Sequence, residues 1–280
     1  MSVRRAKQLC LIGAAALVAL ALWAFWLEPS SLRVVHRTIV LRPWHMEHAG
    51  LRVAVMSDLH VGAPYRNVAT LKKIVAATNA EQPDLILLLG DFVIRGVVGG
   101  HFVAPEIVAD ELSGLHAPLG VVAVLGNHDW WFDGERTRHA LESRDIRVLE
   151  DQNLRLTYRG RNFWLSGLAD LWVRGDQVLS TLAKLDDNEP VLVLMHNPDT
   201  FPEIPARASL TLAGHTHGGQ VNLPIVGRLI VPSRFGQRYA YGLVEENGKK
   251  LFVTGGIGTS IVPVRFRVAP EIVILTLVAG

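Results

Sequence analysis

The sequence predicts an α/β protein, a four-layer αββα sandwich of two mixed β-sheets flanked by helices, with an N-terminal transmembrane helix. Three observations point there. Short apolar runs alternate with amphipathic stretches through the middle of the chain, which places strands and helices in turn. Beyond His217 the pattern changes to strands and tight turns, more β-structure than one doubly wound sheet provides. The first apolar stretch is of another kind. Gln8 to Leu27 (QLCLIGAAALVALALWAFWL) carries no charge, and at about 1.5 Å rise per residue it spans roughly 30 Å, one bilayer core.

Arg4, Arg5 and Lys7 precede that run, and Trp23 and Trp26 stand where interfacial aromatic residues lie. Ala19-Leu20-Ala21 resembles a signal-peptide cleavage site, but the apolar run continues past it through Phe25 and Trp26, which favours an uncleaved anchor. Arg4-Arg5 matches a twin-arginine signal only loosely. The clustered N-terminal charges place the main domain on the outer side of the membrane, although Arg33, Arg37 and Arg42 beyond the helix nearly balance them.

Glu28-Pro29-Ser30-Ser31 reads as a brief polar linker and Arg33 to Leu41 (RVVHRTIVL) as a strand. Leu51–Met56, Leu85–Leu89, Val121–Leu125, Val191–Met195 and Leu210–Ala213 read as buried strands, and Leu251–Val253 and Glu271–Leu277 as later ones. Asn67–Ala80, Pro105–Leu115, Gly134–Arg144 and Asp176–Leu185 have the spacing of amphipathic helices.

Composition removes several classes of function. The 280 residues suffice for one large domain or two small ones, and 49% apolar content excludes a disordered chain. A net charge of +2, with 28 basic residues against 26 acidic, and no dense basic run gives no nucleic-acid footprint. Cys10 is the single cysteine, so there is neither an internal disulfide nor a thiolate cluster. Any metal must be held by nitrogen and oxygen.

Each buried run ends on residues of that kind. LRVAVMSDLH ends on Asp58 and His60, LILLLGD on Asp91, and VVAVLGNHD on Asn127, His128 and Asp129. VLVLMHN ends on His196, and LTLAGHTH on His215 and His217. Sheets of this class place their sites at the carboxyl ends of strands. In an extended segment residues i and i+2 share a face, so Asp58 with His60, and His215 with His217, can each aim two donors at one locus. Carboxylate, imidazole and amide oxygen suit a first-row metal rather than calcium. Seven donors exceed one ion's needs and match two ions sharing Asp91, which stands alone at its strand end.

Taken singly, an Asp-x-His or Asn-His-Asp is usually a turn or a helix cap. Five in succession, each closing an apolar strand, have no such explanation. His36, His45, His48, His101, His116 and His139 lack that context and read as solvated or capping residues. Trp130-Trp131-Phe132 reads as helix-to-core packing, with an apolar rim for acyl chains as the alternative. Arg265 is a candidate phosphate or substrate contact, or else a surface ion pair.

The blocks DLH, GD, GNHD, MHNPD and GHTHGGQ, in this order from Leu51 onward, resemble the metallophosphoesterase (calcineurin-like phosphoesterase) superfamily. GHTHGGQ and the tail GGIGTSIVPVRFRVAPEI are most similar to its membrane-anchored bacterial branch. That resemblance implies two ions (manganese, iron or zinc), one held by Asp58, His60 and His217, the other by Asn127, His196 and His215, with Asp91 bridging. It implies His128 as a catalytic group that binds no metal, with Asp129 orienting its imidazole. The implied activity is phosphodiester hydrolysis by a metal-bridging hydroxide. UDP-2,3-diacylglucosamine pyrophosphatase-type hydrolysis of a lipid-linked pyrophosphate is the alternative, and a non-catalytic scaffold on the same fold a further one. The expected organisation is a cytoplasmic stub and anchor over residues 1–28, a linker and first strand over 29–49, and the catalytic domain over 50–280. The expected location is the bacterial inner membrane, crossed once.

Overall fold

The computed structural model describes residues 3–174, 178–185 and 187–280. The chain opens with α1 (Val3–Leu22), one wider helical turn (Trp23–Leu27) and the short α2 (Glu28–Ser30). There follow β1 (Arg33–Leu41), β2 (Leu51–Met56), α3 (Val68–Ala80), β3 (Leu85–Leu88), α4 (Pro105–Leu112), β4 (Val121–Ala123), α5 (Asn127–Glu142) and β5 (Ile146–Val148). Next come β6 (Gln152–Tyr158), β7 (Arg161–Gly167), α6 (Leu171–Arg174), α7 (Val178–Leu182), β8 (Val191–Leu194) and β9 (Ala208–Ala213). β10 (Gly242–Glu246), β11 (Lys249–Val253) and β12 (Glu271–Ala279) close the chain.

Two six-stranded sheets form, in the orders β1-β12-β2-β3-β4-β5 and β10-β11-β9-β8-β7-β6. Both are mixed. β2 to β5 run parallel and β12 pairs antiparallel with β2. In the second sheet β7, β8, β9 and β11 run parallel, and the hairpins β6–β7 and β10–β11 supply antiparallel edges.

Period-2 alternation sorts the strand residues between layers. Val53, Val55, Leu85 and Leu87 point between the sheets and meet Leu165, Leu192, Leu194, Leu210 and Leu212. Their neighbours Ala54, Met56, Ile86 and Leu88 pack against Leu71, Ile74, Leu112 and Leu141 of α3, α4 and α5. The outer face of the second sheet is covered more thinly, by Val178, Leu182, Phe201 and Ile204. Covering both faces explains the continuous apolar runs, and each fully buried Leu or Val contributes about 1.5–3 kcal/mol.

The structure departs from the sequence expectations, or adds to them, in four places. The helix expected from Gly134 starts at Asn127, because Asp129 caps the first turn; the regular path breaks at Asp133 (φ −170, ψ 90), whose carboxylate caps the Arg136 N–H. The helix expected over Asp176–Leu185 is α7; Asp176 lies outside the described residues, as do Met1 and Ser2 of the N-terminal stub. The hairpins built on β6–β7 and β10–β11 turn at Arg159-Gly160 and Asn247-Gly248, whose positive φ values meet the demand of two-residue turns. The expected polar linker is docked: Glu28 and Pro29 are buried, and Glu28 accepts the Trp23 indole N–H at 2.6 Å and the Val268 N–H at 2.7 Å. Arg66 clamps the same segment, donating to the carbonyls of Pro29 and Ser31. β1 then pairs along its length with β12, so the segment ahead of residue 50 is an edge strand of the first sheet.

Candidate metal centre

β2, β3, β4, β8 and β9 end side by side, and their following residues converge. Their turns do not continue the strands. Asp58, His60, Asp91, His215 and His217 all have left-handed backbone, with φ between 41 and 68°. The expectation that Asp58 and His60, or His215 and His217, share a face as extended residues i and i+2 is therefore corrected. β2 has ended at Met56 and β9 at Ala213, and each donor is aimed by a costly local conformation that the surroundings enforce. Glycines make the close approach possible. A Cβ on Gly126 would lie 2.3 Å from Asp91 Oδ1, and one on Gly214 would lie 1.9 Å from Ser57 Oγ.

The donors form two overlapping groups, Asp58, His60, Asp91 and His217 in one and Asp91, His196 and His215 in the other. In each, one ligand atom per residue lies within 4.8 Å of all the rest, and every member is buried. Asp91 Oδ2 is the shared atom, 3.4 Å from His60 Nε2 and 3.2 Å from His196 Nε2. His60 Nε2 is 3.2 Å from His217 Nε2, which is 3.4 Å from Asp58 Oδ1; His215 Nδ1 is 3.2 Å from His196 Nε2.

Outer contacts fix the rings. His196 Nδ1 faces the Leu89 carbonyl at 2.6 Å and His60 Nδ1 faces that of Val93 at 3.3 Å. In that tautomer Nδ1 donates and the Nε2 lone pair faces inward, the arrangement of a metal-binding histidine. Burial lowers the pKa of His60 and His215 to about 3 and that of His217 well below its usual value, so these imidazoles stay neutral. Burial opposes charge on His196 too, but the Asp91 carboxylate outweighs it and raises that pKa. Burial also pushes Asp58 up to about 6.

Asn127 is buried beside these groups, and its Oδ1 has no hydrogen-bond partner among the described residues. Clustered carboxylates, neutral imidazoles and an orphaned amide oxygen are expensive to bury alone. Cations would satisfy all of them, so the residues fit a binuclear metal group.

His128 lies at the rim, with its ring against His60 and Trp131 and its Nδ1 unpartnered among the described residues. Burial lowers its pKa. Asp129 is not placed to orient that imidazole. Its two oxygens accept the backbone N–H groups of Asp91, Phe92, Val93 and Gly126, at 2.8 to 3.2 Å, so it secures the Asp91 turn instead. Arg265 is neither a substrate contact nor a surface ion pair. It is wholly buried, and its guanidinium donates to the carbonyls of Gly255, Gly256, Gly258 and Val268. His48 is likewise no solvated histidine, being buried against Trp44 and Phe163.

Two features escaped the sequence reading. β7 also ends in a carboxylate, Asp170 of GLAD, fully buried, with Oδ2 unpartnered among the described residues. Burial lifts its pKa to about 6, against the pull of His196. Strand β7 itself was the missing signal. The second feature is Trp172, whose ring meets His215 edge-on at 4.4 Å and stacks with Trp131 at 6.1 Å. Both indoles are nearly half exposed. Trp130, by contrast, packs on the core, and Phe132 meets Phe102. The aromatic cluster thus divides between packing and rim. A separate depression, lined by Pro83, Leu115, Pro118 and Arg144, lies at the opposite, amino ends of β3 and β4.

With this geometry in view, the chain belongs to the calcineurin-like phosphoesterase family, whose model matches residues 51–219. It is a metal-dependent phosphoester hydrolase. It is 30% identical to the uncharacterized metallophosphoesterase YkuE of Bacillus subtilis over 91% of this chain and 88% of that one. It is 33% identical to the phosphodiesterase YaeI of Escherichia coli, over 82% of this chain and 83% of that one. Identity to the UDP-2,3-diacylglucosamine pyrophosphatase LpxG of Chlamydia trachomatis is 28%, over 72% and 74%.

Proposed function

We propose that the chain is a binuclear-metal phosphodiesterase held at a membrane by its N-terminal helix, with residues 50–280 carrying the chemistry. The observation that carries this reading is Asp91 Oδ2, common to two donor groups that each close around it. Asp58, His60 and His217 would hold one ion and Asn127, His196 and His215 the other. When bound, the pair supplies Lewis acidity toward an attacking water and the phosphoryl oxygens; manganese, iron and zinc all suit the donor set.

The protein's part is positioning and proton handling. Val93 and Leu89 fix the tautomers of His60 and His196, while Asp129 fixes the turn that presents Asp91. Asn127 adds an oxygen without adding charge, so the centre keeps an attraction for phosphate. His128 reaches the rim as a neutral imidazole and donates an N–H to a phosphoryl or leaving oxygen. A scaffold role has no use for this complete donor set.

A second reading is hydrolysis of a lipid-linked pyrophosphate, favoured by the half-exposed Trp131–Trp172 pair and supported by the similarity to LpxG. One helix among the described residues, Val3–Ser30, is long and apolar enough to cross a membrane. In the phosphodiesterase reading it is a single-pass anchor in a bacterial inner membrane with the domain on the outer side, whereas a UDP-linked substrate, being cytosolic, requires the domain to face inward.

The test is hydrolysis of bis(p-nitrophenyl) phosphate by the full chain. Turnover should vanish with a chelator and return with Mn²⁺. A folded, metal-loaded protein inert toward diesters, monoesters and pyrophosphates would sink the proposal. A panel that includes UDP-diacylglucosamine separates the two readings, and protease accessibility in sealed vesicles fixes the side.

A further inference from the structure

The segment following GHTHGGQ has a surface unsuited to water. Leu223 and Gly227 exchange backbone hydrogen bonds, closing a tight hairpin with Ile225 at its tip. Ile225 is 107% exposed and Ile230 80%, with Val226 and Leu229 exposed between them. Scattered apolar side chains are ordinary on a surface, whereas four within six residues form a patch that calls for a covering.

The hydrogen-bond pattern indicates what covers it. The base of the hairpin is bound to Phe266, whose N–H donates to the Gln220 carbonyl and whose own carbonyl accepts the Asn222 N–H. The adjacent residue, Arg265, donates its backbone N–H to the carbonyl of Ala24, within the last turns of the apolar N-terminal helix. Tyr65 donates to the carbonyl of Phe25 in the same turns. Ile261 and Val262 are exposed on the loop between, which Gln220 ties down through the Ser260 N–H and the Val262 carbonyl. Exposed apolar side chains thus stand on three segments linked by hydrogen bonds, at Trp23, Phe25 and Trp26, at Ile261 and Val262, and on the hairpin, and Arg267 is exposed beside Phe266. Apolar tips with a neighbouring arginine match the chemistry of a bilayer interface. On its other side the segment is fastened to the metal centre, because Arg228 Nε donates to the carbonyl of Gly218, next to His217.

We infer that the 223–230 hairpin is a second membrane contact, immersed in the interface of the bilayer that holds α1, so that the metal centre opens at the lipid surface. The substrate class this selects is a phosphoester whose apolar part remains in the bilayer. The inference rests on the anchor reading above, and its test separates the two.

The full chain is reconstituted in phosphatidylethanolamine–phosphatidylglycerol vesicles that contain a nitroxide-bearing lipid, and an environment-sensitive fluorophore is attached at single cysteines. Native Cys10, exposed on α1, reports the anchor. I225C and I230C, each in a C10A background, report the hairpin. T157C, in the same C10A background and beside the β6–β7 turn at the far end of the second sheet, is the aqueous control. Hydrolysis of the soluble diester by the same vesicles verifies that each labelled chain is folded. Labels at 225 and 230 should be quenched at least about twofold more than the label at 157, as interfacial immersion requires. Quenching at Cys10 with labels at 225 and 230 no more quenched than at 157 would overturn the inference and leave the anchor standing. That outcome includes a hairpin covered by a second copy of the chain. An unquenched Cys10 label would remove the anchor and this contact together, without touching the assignment as a phosphohydrolase.

Discussion

Asp91 Oδ2 lies 3.2 Å from His196 Nε2 and 3.4 Å from His60 Nε2, so a partner held among these groups meets the same carboxylate oxygen from both sides. If that partner is a pair of cations, Asp91 is the one residue whose loss affects both. Asp91→Asn should therefore lower the content of both ions, and activity by at least ~100-fold, exceeding the effect of typical outer-shell substitutions. His217→Ala should lower mainly one. Elemental analysis of each variant purified without added metal gives the answer.

Asp129 is predicted to act through the Asp91 turn rather than through His128. Asp129→Asn replaces an acceptor facing four amides with a group that is half donor, and should cost about 2–4 kcal/mol of stability along with metal affinity. The pH dependence of kcat in whatever fraction retains metal should be unchanged. His128→Ala should show the converse, with metal and fold kept and most activity lost. A shifted pH profile in Asp129→Asn would restore the imidazole-orienting role.

Arg265 should behave as a structural residue. Its guanidinium makes five hydrogen bonds to four carbonyls, and Arg265→Ala leaves buried acceptors bare, at a cost of at least ~3 kcal/mol. Arg265→Lys should recover little, since an ammonium cannot span those carbonyls. Thermal melts should fall sharply in both variants, with KM scarcely altered in the folded fraction.

Trp172 should bear on substrate preference. Removing a ring that stacks with Trp131 and meets His215 forfeits about 0.5–1.5 kcal/mol of contact with a bulky apolar group, a KM rise of roughly 2–10-fold. Steady-state kinetics of Trp172→Ala should show that rise for bulky diesters, with metal content and kcat nearly unchanged.

His48 gives a pH-dependent term remote from the metals. Burial lowers its pKa below 6.5, so the folded chain resists a proton that the unfolded chain accepts. Above pH 6.5 both folded and unfolded chains hold it neutral and it adds no pH dependence, and stability falls as pH drops below that value toward the lower folded pKa. Denaturant unfolding at pH 7.0 and 5.5 should show a smaller acid loss for His48→Phe than for the parent chain.

Much of this was legible in the sequence because it rests on local rules. The parallel strands are buried on both faces, so VAVM, LILL and LVLM read as continuous apolar runs, and a donor after each marks the carboxyl end. What was not legible depended on placement. Asp129 and Asn127 both stand in GNHD, yet one serves four amides and the other is left bare, a difference fixed by how the Asp91 turn packs on the start of α5. Arg265 reads as a substrate contact or a surface ion pair until the glycine-rich loop wraps around it. Asp170 was hidden because β7, half polar along its length, lacks the apolar run that flagged its neighbours.

The path from α1 into the first sheet has no slack. α2, Ser31 and Leu32 are all that separate the apolar helix from β1, and Arg66 and Glu28 fasten that junction to the body. Helix and domain therefore turn as one piece, like a key and its bow. At 3.6 residues per turn, inserting one residue within α1, ahead of the docked turn at Ala24 and Phe25, would rotate the upstream helix by about 100° relative to the domain. The compass bearing of the metal centre is set by helical phase, so a graded series of insertions there would steer the site without altering any of its atoms.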